Sequence, residues 1–224
     1  MGRARIKPGK LGTTSTELDK KYPFWRNQAT SKGGHNTVSA NSTIKSYQKI
    51  ADWLLKNKPG AKILDASSGS GAGTELMRAK GLRCDDVEPF VSKDRKAPTY
   101  TDYNTIRQKY DVVISNAVIN VIPDDWRANL IRQMASLVAK GGIMIINTRS
   151  EKEIKEIANA ISLDCDSEKL LKKGKNSYAY QRGFTPESLA KYVNTILNGK
   201  FAIEKANVKN SGISTSCSIV CTKL

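Results

Sequence analysis

The stretch AKILDASSGSGAGTELMRAKG, residues 61–81, decides the fold. Its first part, Ala61 to Asp65, is a short apolar run that reads as a buried strand, and GTELMRAKG behind it reads as a helix. Between them lies a loop of small residues. Gly69 and Gly71 let the backbone approach a ligand closely, and the start of the following helix presents free N–H groups. Taken alone, the loop fits either a nucleotide site or a tight strand-to-helix turn. The spacing does not suit a dinucleotide dehydrogenase, because Thr74 stands where the third glycine of GxGxxG belongs.

Working outward, strands and helices alternate. LRCDDVEP (82–89) reads as a second strand and PTYTDY (98–103) as a third; YDVVISNAVINVI (110–122) is the strongest strand signal in the chain. Pro123 then opens a helix with Leu130, Ile131, Met134, Leu137 and Val138 on one face, expected to close at Gly141-Gly142 before the strand IMIINT (143–148). TPESLAKYVNTILNG (185–199) carries an N-cap threonine before a first-turn proline. FAIEKANV and STSCSIVCT have no helix between them, which predicts an antiparallel hairpin beside an otherwise parallel sheet. Before the loop, Ile44, Tyr47, Ile50, Ala51, Leu54 and Leu55 recur at helical spacing. The expectation is an α/β, Rossmann-like three-layer sandwich with a mostly parallel seven-stranded sheet.

Two acids extend the loop signal. CDDVEPF ends the second strand, and alternation with the following Pro89 favours Glu88 over Asp85 and Asp86 as the side chain facing a ligand. TDYN then places Asp102 and Tyr103 at the next strand end. With Asp65-Ala-Ser67-Ser-Gly69-Ser-Gly71, these segments resemble the class I, S-adenosylmethionine-dependent methyltransferases, whose loop reads acid-x-Gly-x-Gly-x-Gly. Ser67 replaces the first glycine, and Gly73 is an extra one. The resemblance spans roughly residues 44–222. It implies S-adenosyl-L-methionine as cofactor, held by Asp65, Ser67, Gly69 and Gly71 at its methionine end, by Glu88 at the ribose, and by Asp102 and Tyr103 at the adenine. It also implies that Asn116, Ala117 and Val118 line the transferred methyl group.

Composition bears on the acceptor. The net charge of +16 is concentrated: residues 1–60 hold 12 Lys/Arg against 3 Asp/Glu, 61–150 hold 13 against 10, and 151–224 hold 12 against 8. Such a field attracts polyanions and predicts a nucleic-acid partner, although a basic tail on a soluble protein has the same composition. Residues 1–20 read as a flexible basic arm ahead of a methyltransferase domain over 21–224, with YPFW (22–25) anchoring the arm by core packing or by base stacking. In KKGKNSYAYQRGF, the basic residues of 172–182 interleave with Tyr178 and Tyr180, which suits a phosphate-and-base surface or a solvated loop.

The acceptor motif itself is missing. SNAV occupies the position where exocyclic-amine DNA methyltransferases carry an Asp/Asn/Ser-Pro-Pro-aromatic segment, and no cysteine follows a proline as cytosine-C5 chemistry requires. Asn116 and His35, the sole histidine, are the candidate catalytic residues, with an exposed loop histidine as the plain alternative for His35. The pattern is also similar to small methyltransferases of phages and bacteria, which implies nucleic acid, DNA before RNA. A small-molecule methyltransferase and a non-catalytic nucleic-acid-binding module remain the alternatives. The four cysteines form no metal pair or disulfide framework, and the basic start lacks the apolar segment of a secretory signal. No run approaches the roughly 18 apolar residues of a membrane span, so a cytoplasmic protein without metal is expected.

Overall fold

The computed structural model describes residues 12–22, 40–91, 95–163, 167–174, 177–205 and 217–224. In chain order the elements are α1 (Ser15–Lys21), α2 (Ala40–Asn57), β1 (Lys62–Ala66), α3 (Ala72–Ala79), β2 (Arg83–Val87), β3 (Tyr110–Asn116), α4 (Asp124–Leu137), β4 (Val138–Thr148), α5 (Glu151–Lys155), β5 (Ala160–Ser162), β6 (Glu168–Gly174), β7 (Ser177–Arg182), α6 (Pro186–Leu197), β8 (Phe201–Lys205) and β9 (Cys217–Lys223).

A six-stranded sheet in the order β2-β1-β3-β4-β9-β8 forms the middle layer. Its first four strands run parallel, and β9 lies antiparallel to both β4 and β8, so the expected C-terminal hairpin is present. Strand alternation divides the side chains between two helical layers. Ile63, Val112, Ile114 and Ile145 pack with Tyr47, Ile50, Leu54 and Met77 of α2 and α3. Leu64, Val113, Met144 and Ile146 face Ile131, Met134, Leu189 and Val193 of α4 and α6. The chain leaves β1 toward β2 on one side and returns to β3 on the other. The crevice above the carboxyl ends of β1 and β3 is therefore the topological switch point, where open α/β sheets bind ligands.

Several expectations change. The main sheet has six strands rather than seven, and the strand read over 110–122 ends at Asn116. The third strand over 98–103 is absent: only Tyr100 bridges to Val87, because Asp86 takes the Thr99 N–H and Asp102 turns the chain into a short 3-10 helix by accepting from the Asn104 N–H. Gly141 and Gly142 do not end a helix. α4 stops at Leu137, and the glycines lie within β4 at a register break opposite β3, where Gly141 has φ +71° and a Cβ on Gly142 would come within 2.9 Å of the Asp111 carbonyl. Leu55 points outward at 42% exposure.

The segment 160–182, whose residues 172–182 read as a phosphate-and-base surface or a solvated loop, carries a second, three-stranded antiparallel sheet, β5-β6-β7. It buries Leu170 and Tyr180 against Leu18 of α1. Residues 12–20 of the basic arm are accordingly folded onto the domain. Thr14 caps α1 in a reciprocal box with Glu17, the Asp124 N–H donates to the Thr13 carbonyl, and the Ser15 N–H donates to Asp125. Residues 1–11, His35 and Pro23 to Trp25 lie outside the described residues. No described helix is long and apolar enough to cross a membrane, and no group of potential metal ligands occurs among the described residues.

Candidate active site

The glycine loop leaves β1 with Ser67 at φ +62°, a left-handed conformation unusual for a residue with a Cβ. The Ser67 and Ser68 N–H groups both donate to the Val87 carbonyl, and the Ser67 hydroxyl pairs with the Tyr103 hydroxyl at 2.9 Å. Gly69 and Gly71 follow at φ +58° and +81°. Gly71 is the N-cap of α3 and supplies no side-chain cap, so the first-turn N–H groups of that helix face the crevice without a capping side chain. The second left-handed non-glycine at a strand end is Ala117, φ +59°, after β3; its N–H donates to the Asn147 carbonyl. Backbone strain of about 1–3 kcal/mol per residue concentrates at functional sites. Here it marks both lips of the switch-point crevice.

Glu88 stands just beyond β2 and is 5% exposed. One of its oxygens accepts from the Gly69 N–H at 2.7 Å and the other from the Phe90 N–H at 2.9 Å, which leaves acceptor capacity on both. Its two competitors are engaged elsewhere. Asp85 accepts from Gln108 and the Tyr110 hydroxyl. Asp86 binds Ser68, Thr99, Arg78 and Arg95. Burial alone would raise the Asp86 carboxyl, but the Thr99 and Ser68 hydrogen bonds and the Arg95 charge outweigh it and hold the group below the usual range. Arg95 also reaches the Gly69 carbonyl and the Ser68 hydroxyl, tying the loop to β2.

Asp65 is wholly buried beneath the loop. Both its oxygens accept from the Tyr47 hydroxyl, at 2.8 and 3.0 Å, and one accepts from Thr74 at 2.7 Å. Burial pushes its carboxyl up to about 6, against the opposing hydrogen bonds of Thr74 and Tyr47. Asn116, at the end of β3, is 4% exposed. Its carboxamide exchanges hydrogen bonds with Ser46 and accepts from Asn147, whose oxygen in turn accepts from Ser218. These four residues form a polar ladder across the aligned ends of β3, β4 and β9. Asp102 is exposed and caps the short 3-10 turn, while Tyr103 is half-buried with its phenol pushed well up by burial.

The acceptor side differs from expectation. Arg182 pairs with Glu168 at 2.6 Å inside the protein, and Tyr180 is 2% exposed. Neither is presented to a partner from 172–182; Lys172 is exposed. Arg127 is fully buried. It donates to the carbonyls of Ile119 and Ile122 in the loop after β3, lies 3.5 Å from Asp124, and sits among the rings of Tyr180, Phe184 and Tyr192.

A model of the methyltransferase domain matches residues 40–185, well over half of the chain. The chain belongs to this methyltransferase family. Solved structures with the same fold include an amino pentose methyltransferase from Micromonospora echinaspora, solved with S-adenosylmethionine (14% identity, TM-score 0.57, covering 85% of this chain and 94% of that one). Magnesium protoporphyrin IX methyltransferase from Synechocystis, with S-adenosylhomocysteine bound, is similar at 18% identity and TM-score 0.55, covering 94% and 96%. An S-adenosylmethionine-dependent methyltransferase from Clostridium acetobutylicum is similar at 17% identity and TM-score 0.55, covering 94% and 97%. No curated protein matches the sequence. The enzyme is an S-adenosylmethionine-dependent methyltransferase. The uncapped α3 start, the left-handed loop and the acceptor capacity of Glu88 fit a ligand carrying both a carboxylate and a ribose diol.

Sequence reasoning missed Ser46, Tyr47, Asn147, Ser218 and Arg95. One signal was available: Gly73 lies in the first turn of α3, where no left-handed backbone calls for glycine, and a Cβ there would meet the Tyr47 ring at 2.3 Å.

Proposed function

We propose that this methyltransferase methylates nucleic acid, DNA in preference to RNA. The observation that carries the reading is the +16 charge, with its largest excess in residues 1–60. The described end of the arm supports it. Thr13, which follows Arg3, Arg5, Lys7 and Lys10 in sequence, is held by Glu168 and by the Asp124 N–H, so the arm is joined to the domain at the start of α4, directly after the loop that follows β3.

In this reading the α3 start with Ser67, Gly69 and Gly71 receives the methionine end of the cofactor, Asp65 sets the charge beneath it, and Glu88 accepts from the ribose hydroxyls. Asp102 and Tyr103 flank the adenine. The cofactor supplies an electrophilic methyl on a sulfonium. When bound, it would give that methyl to an acceptor lone pair and leave as the neutral thioether, so the acceptor would also have to give up a proton. Asn116 and Ala117 line the path of transfer, and His35 is the candidate to take the proton. Alignment is the protein's main contribution.

A second reading, transfer to a small molecule, is favoured by the interior positions of Arg182 and Tyr180. The similar structures also act on an amino sugar and a porphyrin. Radiolabel transfer from S-adenosylmethionine to DNA, RNA, amino sugars and a metabolite mixture separates the two. Label in DNA that disappears at high salt is the expected outcome, and label in small molecules alone overturns it. Calorimetry with S-adenosylhomocysteine tests the cofactor assignments: Glu88→Ala is expected to weaken binding by about tenfold or more, since a hydrogen bond to a charged group contributes about 1.5–3 kcal/mol. Unchanged binding removes Glu88 from the site.

A further inference from the structure

Two consecutive residues of α2 reach two different strand ends. The Ser46 hydroxyl exchanges hydrogen bonds of 3.0 and 2.8 Å with the Asn116 carboxamide at the end of β3, and the Tyr47 hydroxyl bonds both oxygens of Asp65 at the end of β1. Both side chains are buried, at 4% and 3% exposure. We propose that Ser46 and Tyr47 are positioning residues that set the two halves of the transfer site, Tyr47 by orienting the Asp65 carboxylate beneath the glycine loop and Ser46 by orienting Asn116 at the methyl-facing end.

Three observations converge on this pair. The Tyr47 ring passes so close to Gly73 that any Cβ there would strike it, so the extra glycine of the loop and the tyrosine of α2 are matched to one another. Thr74, the next residue, donates to the same Asp65 oxygen, so the carboxylate is clamped between α2 and α3 and cannot turn without losing a partner. The Asn116 oxygen accepts from both Ser46 and Asn147 while its amide group donates to Ser46, so the carboxamide is held by α2 on one side and β4 on the other and cannot flip without losing a partner. The mechanism built on the strand ends alone leaves these hydrogen bonds without a role.

The groups around Asp65 decide the readout. Tyr47 on α2, Cys84 and Asp86 on β2, Glu88 beyond β2 and Arg95 act on Asp65 or on the Tyr47 that binds it. Burial, with Asp65 beside it, drives the Tyr47 phenol well above its ordinary range, so it remains a hydrogen-bond donor at every working pH. Removing its hydroxyl takes away a bond that favours the ionised carboxylate, and Asp65 then titrates at higher pH.

The inference rests on the assignment of Asp65 to the cofactor half of the site, and the experiment separates the two. Binding of S-adenosylhomocysteine is measured by calorimetry from pH 5.5 to 8.5 for the full chain and for Tyr47→Phe, Ser46→Ala and Asp65→Asn, with melting curves as a folding control. The expected result is a wild-type affinity that declines as pH falls through about 6, and a Tyr47→Phe decline that begins at higher pH, with affinity near pH 7 about tenfold lower and recovering toward pH 8.5. Ser46→Ala binds within about twofold of wild type but transfers the methyl group more slowly at saturating cofactor. Unchanged binding by Asp65→Asn removes the assignment of Asp65. Weakened binding by Asp65→Asn with an unshifted Tyr47→Phe profile overturns the positioning role of Tyr47, and transfer by Ser46→Ala at the wild-type rate overturns that of Ser46.

Discussion

The two halves of this methyltransferase bury charge in different ways. In the cofactor half, Asp65 lies under the glycine loop with two hydroxyl donors and, among the described residues, no cation bonded to it, only the Arg95 charge acting from farther off, and burial pushes its carboxyl up to about 6. In the half that carries the small sheet, which we take as the acceptor half, Arg127, Arg182, Asp124 and Glu168 form a buried cluster that joins Thr13 ahead of α1, α4 and the small sheet. A carboxylate stabilised only by hydroxyls retains much of its desolvation cost, so its ionisation stays sensitive to each partner. A set of paired charges holds its carboxylates by opposite charge and is intolerant of losing a member.

The largest expected effect breaks the acceptor half. Glu168→Ala leaves Arg182 without its carboxylate and removes the bonds that hold Thr13; the cost is about 3–5 kcal/mol, read as a lowered midpoint in urea unfolding. Glu168 also titrates below the usual range. Burial opposes ionisation there, but the Arg182 and Arg127 charges and the Thr13 and Tyr180 hydrogen bonds outweigh it. The stability it contributes is present above its unfolded value and is lost as pH falls through the folded one.

Asp65 shows the opposite sign. Its folded value lies above its ordinary one, so the contribution is present below about pH 4 and is lost as pH rises through about 6, a swing on the order of 3 kcal/mol. Unfolding of wild type and Asp65→Asn across pH 4–7 checks this: the stability of the variant relative to wild type rises with pH. Flat curves of equal offset reject it.

Gly73→Ala comes next. The new Cβ overlaps the Tyr47 ring, and such overpacking costs about 1–3 kcal/mol with a parallel loss of S-adenosylhomocysteine affinity. Paired with Tyr47→Phe, it shows whether the cofactor half depends on the ring or on the hydroxyl.

The smallest effect on stability belongs to the arm. Removal of residues 1–11 is expected to leave melting unchanged and to reduce the salt dependence of DNA binding, by a slope of about 0.9 for each of Arg3, Arg5, Lys7 and Lys10 that neutralises a phosphate. Truncation through Lys21 also removes Leu18 from the small core and lowers the melting temperature.

How much of this is legible in the sequence follows from the range of each interaction. The loop from Asp65 to Gly71, Glu88 and the strand read over 110–122, of which 110–116 forms β3, announce themselves through local pattern, because strand-type apolar runs and glycine-dependent turns are properties of neighbouring residues. The small sheet does not, because its strands EKLLKKG and SYAYQR are short and rich in lysine and tyrosine, with an apolar face completed by Leu18, Tyr22 and Trp126, Leu18 being some 150 residues away in sequence. The arm is hidden for the same reason, since α1 is a seven-residue helix that gains order only where Leu18 and Thr13 find partners.

The sequence by itself determined the sandwich, the switch-point loop and the buried acid just beyond β2, and with them the cofactor class. Only the tertiary structure decided which charges are available. Arg182 and Tyr180 read as surface groups until β7 turns them inward, and Asp65 reads as an open ligand until α2 closes over it. A charge acts through its solvation and its partners, and for these residues both come from elements remote in sequence.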